Sequence, residues 1–305
     1  MAARIGTAER WRAADRRHRA EALSATLPPL LVAAERVAAT VAQGVHGRRR
    51  VGQGETFWQF RRFEPGDSPR SVDWRRSATG DHLYVRETEW EAAQSVWLWR
   101  DTSPSMHYRS GPGLATKYER ADLLTLALMS LLVRGGERVA LLGQPERPAS
   151  GTAALNRIAE AMERASEAPT TPAEAVPPYV PLPRYGTVVL FGDFMTSPNE
   201  VDRSVRTFAA RGVRGHLLQV LDPAEAHMPF GGRSRFHGLE SEGELLVGRA
   251  ESLRDDYLDR LTAHQQRLRS LTRRTGWTFA VHHTDRPPQL ALLALYMALG
   301  DAGGP

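Results

Sequence analysis

The 305-residue chain contains no cysteine, which excludes disulfide bridges and thiolate metal sites and makes a cytoplasmic setting the expected one. Lysine is nearly absent as well. Of 40 basic residues, Lys117 is the single lysine and the rest are arginine. Long apolar runs are missing too: the longest, Leu123 to Val133 and Leu290 to Leu299, fall well short of the roughly 20 residues that a membrane-spanning helix requires. The amino end, Met1 to Arg19, is charged throughout and has no apolar stretch ahead of a small-residue cleavage site, so it does not read as a signal peptide. There is no Gly-x-Ser-x-Gly elbow and no Walker loop. Gly52-x-Gly54 is not a dinucleotide fingerprint either, because Phe57 stands where the third glycine belongs.

What is present is ordinary for a globular protein: 41% hydrophobic and 25% charged residues, in a chain long enough for one large or two modest domains. The net charge of +5 raises the question of nucleic acid or an acidic partner. However, Arg48-Arg49-Arg50 and Arg61-Arg62 are short clusters interleaved with Glu55, Glu64, Asp67 and Asp73. With no continuous basic stripe, nucleic acid is not the expected partner.

The pattern divides the chain into a helical segment over 1–43, a β-rich segment over 44–93 and an α/β domain over 94–300, the last carrying an insertion at about 222–250. Within the first, Ala8 to Leu23 is rich in helix formers. After Pro28-Pro29, Leu30 to Val41 sets Leu30, Ala33, Ala34, Val37 and Val41 at helical spacing, which predicts a docking helix without chemistry. The second reads as short strands, among them Thr56 to Phe63, Val72-Asp73-Trp74 and Leu83-Tyr84-Val85, around the turn Pro65-Gly66-Asp67. Its charged set Glu64, Asp67, Arg70, Asp73 and Arg86 reads as a structural ion-pair network, the alternative being a recognition surface.

From Ser95 onward strands and helices alternate, which predicts a doubly wound, mostly parallel sheet covered on both faces. Lys117 to Val133 is apolar nearly all round, so that helix should be buried. Leu253 to Thr275 is a long amphipathic helix, and Ser234 to Leu239 with Glu244 to Val247 forms a hairpin in the insertion.

The chemistry gathers where the apolar run Val96-Trp97-Leu98-Trp99 breaks into Asp101-Thr102-Ser103-Pro104-Ser105. In an extended backbone alternate residues share a side, so Asp101, Ser103 and Ser105 present three hard oxygens to one point. Such oxygens suit magnesium, which keeps several waters and needs few protein ligands. The plainer reading is a loop whose Asp or Ser caps the next helix. A second apolar run, Val188-Val189-Leu190-Phe191-Gly192, ends the same way at Asp193. Two carboxylates some 6 Å apart at an effective dielectric near 20 repel by about 3 kcal/mol, so a cation or a proton must lie between them.

This segment resembles the von Willebrand factor A domain and its metal-ion-dependent adhesion site, in which Asp-x-Ser-x-Ser, a later Thr and a later Asp surround one divalent ion. Asp101, Ser103, Ser105 and Asp193 match position by position. Thr152 of Gly151-Thr152, which opens the helical run to Ala165, is the match for the threonine.

Upstream, Gly44, His46, Gly52, Gly54, Phe57, Phe63-Glu64-Pro65-Gly66-Asp67, Arg70, Val72-Asp73-Trp74, Ser77-Ala78 and Leu83-Tyr84-Val85-Arg86 resemble the bacterial DUF58 family, whose members carry such a domain. That likeness covers about residues 44 to 300. Arg100 departs from it, since the family usually has an apolar residue there. The resemblance implies a Mg2+ site (or Mn2+ or Ca2+) that captures a partner's Asp or Glu, and a MoxR-type AAA+ ATPase as companion in chaperone-like complex maturation.

An enzyme of a different class remains as the alternative: a metal-dependent phosphoesterase with His107 beside a metal-bound water. An aspartyl-phosphate mechanism fits less well, because Ser103 stands where such enzymes carry a second Asp. His282 and His283 are adjacent in a strand and point to opposite faces, so they are not expected to share an ion.

Overall fold

A computed structural model describes residues 29–44, 57–62, 72, 74–78, 82–88, 94–167, 174–240 and 243–301. Its centre is a five-stranded sheet of β3 (Ser95–Arg100), β4 (Arg138–Leu141), β5 (Thr187–Gly192), β6 (Arg214–Leu221) and β9 (Thr278–His283). The order is β4-β3-β5-β6-β9, and every neighbouring pair is parallel. The mostly parallel sheet expected from the alternation of strands and helices is therefore wholly parallel.

Period-2 geometry sorts the strand residues onto two cores. Val96, Leu98, Val189 and Phe191 pack on one face with α1 (Pro29–Gly44), α3 (Lys117–Arg134), α4 (Thr152–Glu167) and α8 (Pro288–Asp301). Trp97, Trp99, Val188 and Leu190 face the other way, onto α5 (Pro198–Ala209) and α7 (Arg254–Thr275). Helices on both faces bury both faces, which is why the strands read as unbroken apolar runs. One approach is especially close: at Gly215 a Cβ would fall 2.2 Å from the Trp277 ring, whose Nε1–H donates to Val213 O at 2.9 Å.

Two further antiparallel pairs complete the described strands: β1 (Phe57–Arg62) with β2 (Tyr84–Thr88), and β7 (Ser234–His237) with β8 (Glu244–Val247). Of the expected strand Val72-Asp73-Trp74, the described residues Val72 and Trp74 do not lie in a strand. Val72 is an isolated bridge residue, and Trp74–Ser77 is a single helical turn, α2. Local hydrogen bonds decide this: Ala78 N–H donates to Trp74 O at 3.0 Å, and the Ser77 hydroxyl accepts from Tyr84 N–H at 2.9 Å. A short helix, α6 (Pro223–His227), lies in the segment expected to be an insertion.

The docking helix α1 forms on much of its expected face, with the buried stripe shifted at Leu30 and Ala33. Leu31, Ala34, Val37, Ala38 and Val41 are buried, whereas Ala33 is exposed and Leu30 only half-buried. Its Glu35 accepts from Ser130 Oγ at 3.1 Å and Arg134 Nη2 at 2.5 Å, which fixes the helix against α3. The expected helix over Ala8 to Leu23 lies outside the described residues, as do Glu64, Asp67, Arg70 and Asp73 of the expected ion-pair network.

Candidate metal centre

The tips of β3 and β5 are bound side by side. The ladder between them runs one bond past β3, with Asp101 N–H donating to Phe191 O at 2.8 Å. From β3 the chain moves outward to β4, and from β5 it moves outward the opposite way to β6. Asp101 and Asp193 therefore fall at the crevice where the strand order reverses, the place where open α/β sheets gather ligands.

Four of the expected residues meet there. Ser103 N–H donates to Asp101 Oδ1 at 2.8 Å, closing a tight turn. Ser103 Oγ and Ser105 Oγ share a hydrogen bond of 3.0 Å, and Ser105 Oγ donates to Asp193 Oδ2 at 2.8 Å. Asp193 is held from behind: its Oδ1 accepts from Met195 N–H at 3.0 Å, and its carbonyl accepts from Gln219 Nε2 at 2.8 Å. Phe194 between them is left-handed at φ 54°, a strained backbone of the kind that clusters at functional sites. Gly192 leaves room for Asp101 to lean in, since a Cβ there would lie 2.9 Å from Asp101 Cβ and 3.1 Å from its Oδ2.

Asp101 is 1% exposed, and its Oδ2 has no hydrogen-bond partner. Burial first, then the nearby Asp193, pushes its carboxyl up to about 7, with Ser103 and Lys117 pulling the other way. A group so placed takes up a proton or a cation. The oxygens also suit a small ion. Magnesium–oxygen bonds of roughly 2.0–2.1 Å set adjacent ligand oxygens about 2.9 Å apart, and the hydrogen-bonded Ser103–Ser105 and Ser105–Asp193 separations of 3.0 and 2.8 Å are compatible with that spacing. Among the described residues, no three His, Cys, Asp or Glu side chains form an ion-binding group, so an ion here would rest on two carboxylates and two hydroxyls.

Thr152 is not brought to this cluster. Ala149 pairs with Val139 near the amino end of β4, so α4 starts, with Thr152 exposed, at the end of the sheet away from Asp101. Glu174 lies at the tip of β3: its carbonyl accepts from Thr102 N–H at 3.1 Å and its N–H donates to Thr102 Oγ1 at 3.0 Å.

His107 stacks on Tyr118 with centroids 4.7 Å apart and lines a cavity of about 340 Å³ shared with Arg100 and Thr102. Arg100 forms a buried ion pair with Asp122 and lies over the Tyr118 ring at 5.1 Å. A charged residue at this strand position is thus matched from α3.

Two participants were not foreseen. Lys117 Nζ donates to the same Asp193 Oδ2 at 2.7 Å and to Glu225 Oε1 at 2.5 Å. Burial works against the charge on Lys117, but Asp193 and Glu225 outweigh it and hold the pKa above the ordinary lysine value. Glu225 is pushed up by burial and drawn back by Lys117. It sits on α6, whose capping box joins Asp222 and Glu225; the Asp222 carboxylate also accepts from Ser110 N–H at 2.9 Å. The signals were legible in principle: the lone lysine of the chain, and an Asp-Pro-Ala-Glu run with capping-box spacing.

The family described as "Protein of unknown function DUF58" matches residues 59–267. Uncharacterised proteins of Mycobacterium tuberculosis and Mycobacterium bovis are 25% identical over 281 residues, covering 87% of this chain and 86% of theirs. Among solved structures, a conserved hypothetical protein BatB from Bacteroides thetaiotaomicron aligns over 68% of this chain and all of its own at 12% identity and a TM-score of 0.40. An aerotolerance-related membrane protein from Bacteroides fragilis aligns over the same shares at 14% identity and a TM-score of 0.38.

Proposed function

Because the chain belongs to the DUF58 family, we propose that it is a binding module of the von Willebrand factor A kind, in which Asp101, Ser103, Ser105 and Asp193 hold Mg2+ and a partner's Asp or Glu completes the ion's coordination. The observation that carries this reading is the orphaned, buried Asp101 Oδ2 beside a chain of oxygens at ion-ligand spacing. The ion supplies a positive centre with ligand positions to spare. The protein supplies rigid strand tips and neighbouring hydroxyls.

By family resemblance the companion is a MoxR-type AAA+ ATPase in cytoplasmic, chaperone-like complex maturation. The test is capture of a purified MoxR-type ATPase by the whole chain with Mg2+ and with a chelator. Capture that disappears with chelator and with Asp101→Ala, yet survives His107→Ala, supports the reading. Capture indifferent to chelator contradicts it, and phosphoester turnover that depends on His107 replaces it with hydrolysis.

A further inference from the structure

An ion placed on Asp193 meets a cation already there. Lys117 is fully buried, and its ammonium lies 2.7 Å from Asp193 Oδ2, the oxygen to which Ser105 also donates. A magnesium ion on that oxygen would sit no more than about 4.8 Å from Nζ even with the two on opposite sides, given the usual roughly 2.1 Å metal–oxygen bond. Like charges so close in a buried crevice repel one another strongly.

We propose that Lys117 is the resident cation of this centre, that a divalent ion binds by displacing its ammonium from Asp193, and that Glu225 retains the displaced ammonium. The inference rests on the ion-binding reading above. Three features of the chain support it. The ammonium already spans both carboxylates, so losing one contact leaves it paired through Glu225 Oε1. Glu225 is itself fixed, because its Oε2 accepts from Asp222 N–H at 2.9 Å. Finally, arginine fills every other basic position in the chain, while this one holds lysine, a compact point charge on a flexible stem rather than a rigid planar fork. Such a site is partly neutralised by Lys117 when empty of metal and takes an ion only at concentrations that overcome the exchange.

The test uses the full chain and Mn2+ as the probe, with free Mn2+ followed by electron paramagnetic resonance. Lys117→Met is expected to bind Mn2+ at least tenfold more tightly than the unaltered protein. Equal or weaker binding overturns the exchange while leaving the ion reading in place; no Mn2+ bound by either protein overturns the ion reading and the exchange with it. A second measurement avoids the variant altogether. Labelling lysine with 15N at Nζ gives one side-chain ammonium signal, which is expected to shift as Mg2+ occupies the site. A signal unmoved at Mg2+ concentrations that displace bound Mn2+ overturns the exchange.

Discussion

At the scale of single residues, the centre depends on space and on paired charge. Gly192 is the spatial requirement: a methyl group there meets Asp101 at 2.9 Å, and overpacking of this kind costs about 1–3 kcal/mol. Gly192→Ala should lower the denaturant midpoint by a matching amount and weaken Mn2+ binding, and an unchanged Mn2+ affinity would show that Asp101 does not need this position. Charge pairing is clearest at Arg100 and Asp122, which are 9% and 3% exposed. Removing one partner of a buried pair typically costs about 3–5 kcal/mol, while replacing both is far milder. Arg100→Met should therefore destabilise strongly in urea, and the Arg100→Met, Asp122→Leu double variant should recover most of the loss. A double variant as unstable as the single one would place the role of Arg100 elsewhere, on the Tyr118 ring it covers.

At the scale of elements, legibility followed the range of the interaction. The helices and strands from Ser95 onward announce themselves through local periodicity, and the two strand-end aspartates follow from the rule that ligands gather beyond the carboxyl ends of parallel strands. The sequence puts Thr152 on a real helix, α4, but that helix begins at the end of the sheet away from Asp101. The deciding contact is the return of Ala149 to Val139, which no periodicity records. Lys117 reaches Asp193 across 76 positions and Glu225 across 108, so their meeting is a product of topology. The face of α1 keeps Ala34, Val37 and Val41 but takes Leu31 and Ala38 in place of Leu30 and Ala33, where it packs with α3 and α8. That shift is testable: Leu31→Ala should cost about 2–5 kcal/mol, as truncation of a buried leucine does. Ala33→Ser, on the exposed side, should stay within about 0.5 kcal/mol. Comparable losses for the two in thermal unfolding would contradict the observed face.

At the scale of the whole molecule, the doubly wound sheet buries titratable groups far from the centre. His216, in the middle of β6, is held neutral: burial and then Arg214 lower its pKa to about 4, and its Nδ1 is 2.8 Å from Thr278 Oγ1. A folded pKa depressed below the ordinary histidine value of 6.5 means that the unfolded chain takes up the proton first. The stability tied to neutral His216 is thus intact above pH 6.5 and is lost as pH falls towards 4. At 1.36 kcal/mol per unit, the advantage of the unaltered protein over His216→Gln should shrink by about 3 kcal/mol between pH 7 and pH 4. A pH-independent difference in chemical denaturation would show that folding leaves the His216 pKa unshifted.

The central claim concerns the same sheet at its carboxyl edge: that the tips of β3 and β5, with two hydroxyls, form a cation centre. Its most direct measurement is anomalous diffraction from crystals of the full chain soaked in Mn2+. The account predicts one peak bonded to oxygens of Asp101, Ser103, Ser105 and Asp193, with the Lys117 ammonium withdrawn onto Glu225. A map with no peak there, and Lys117 still bound to Asp193, would contradict it.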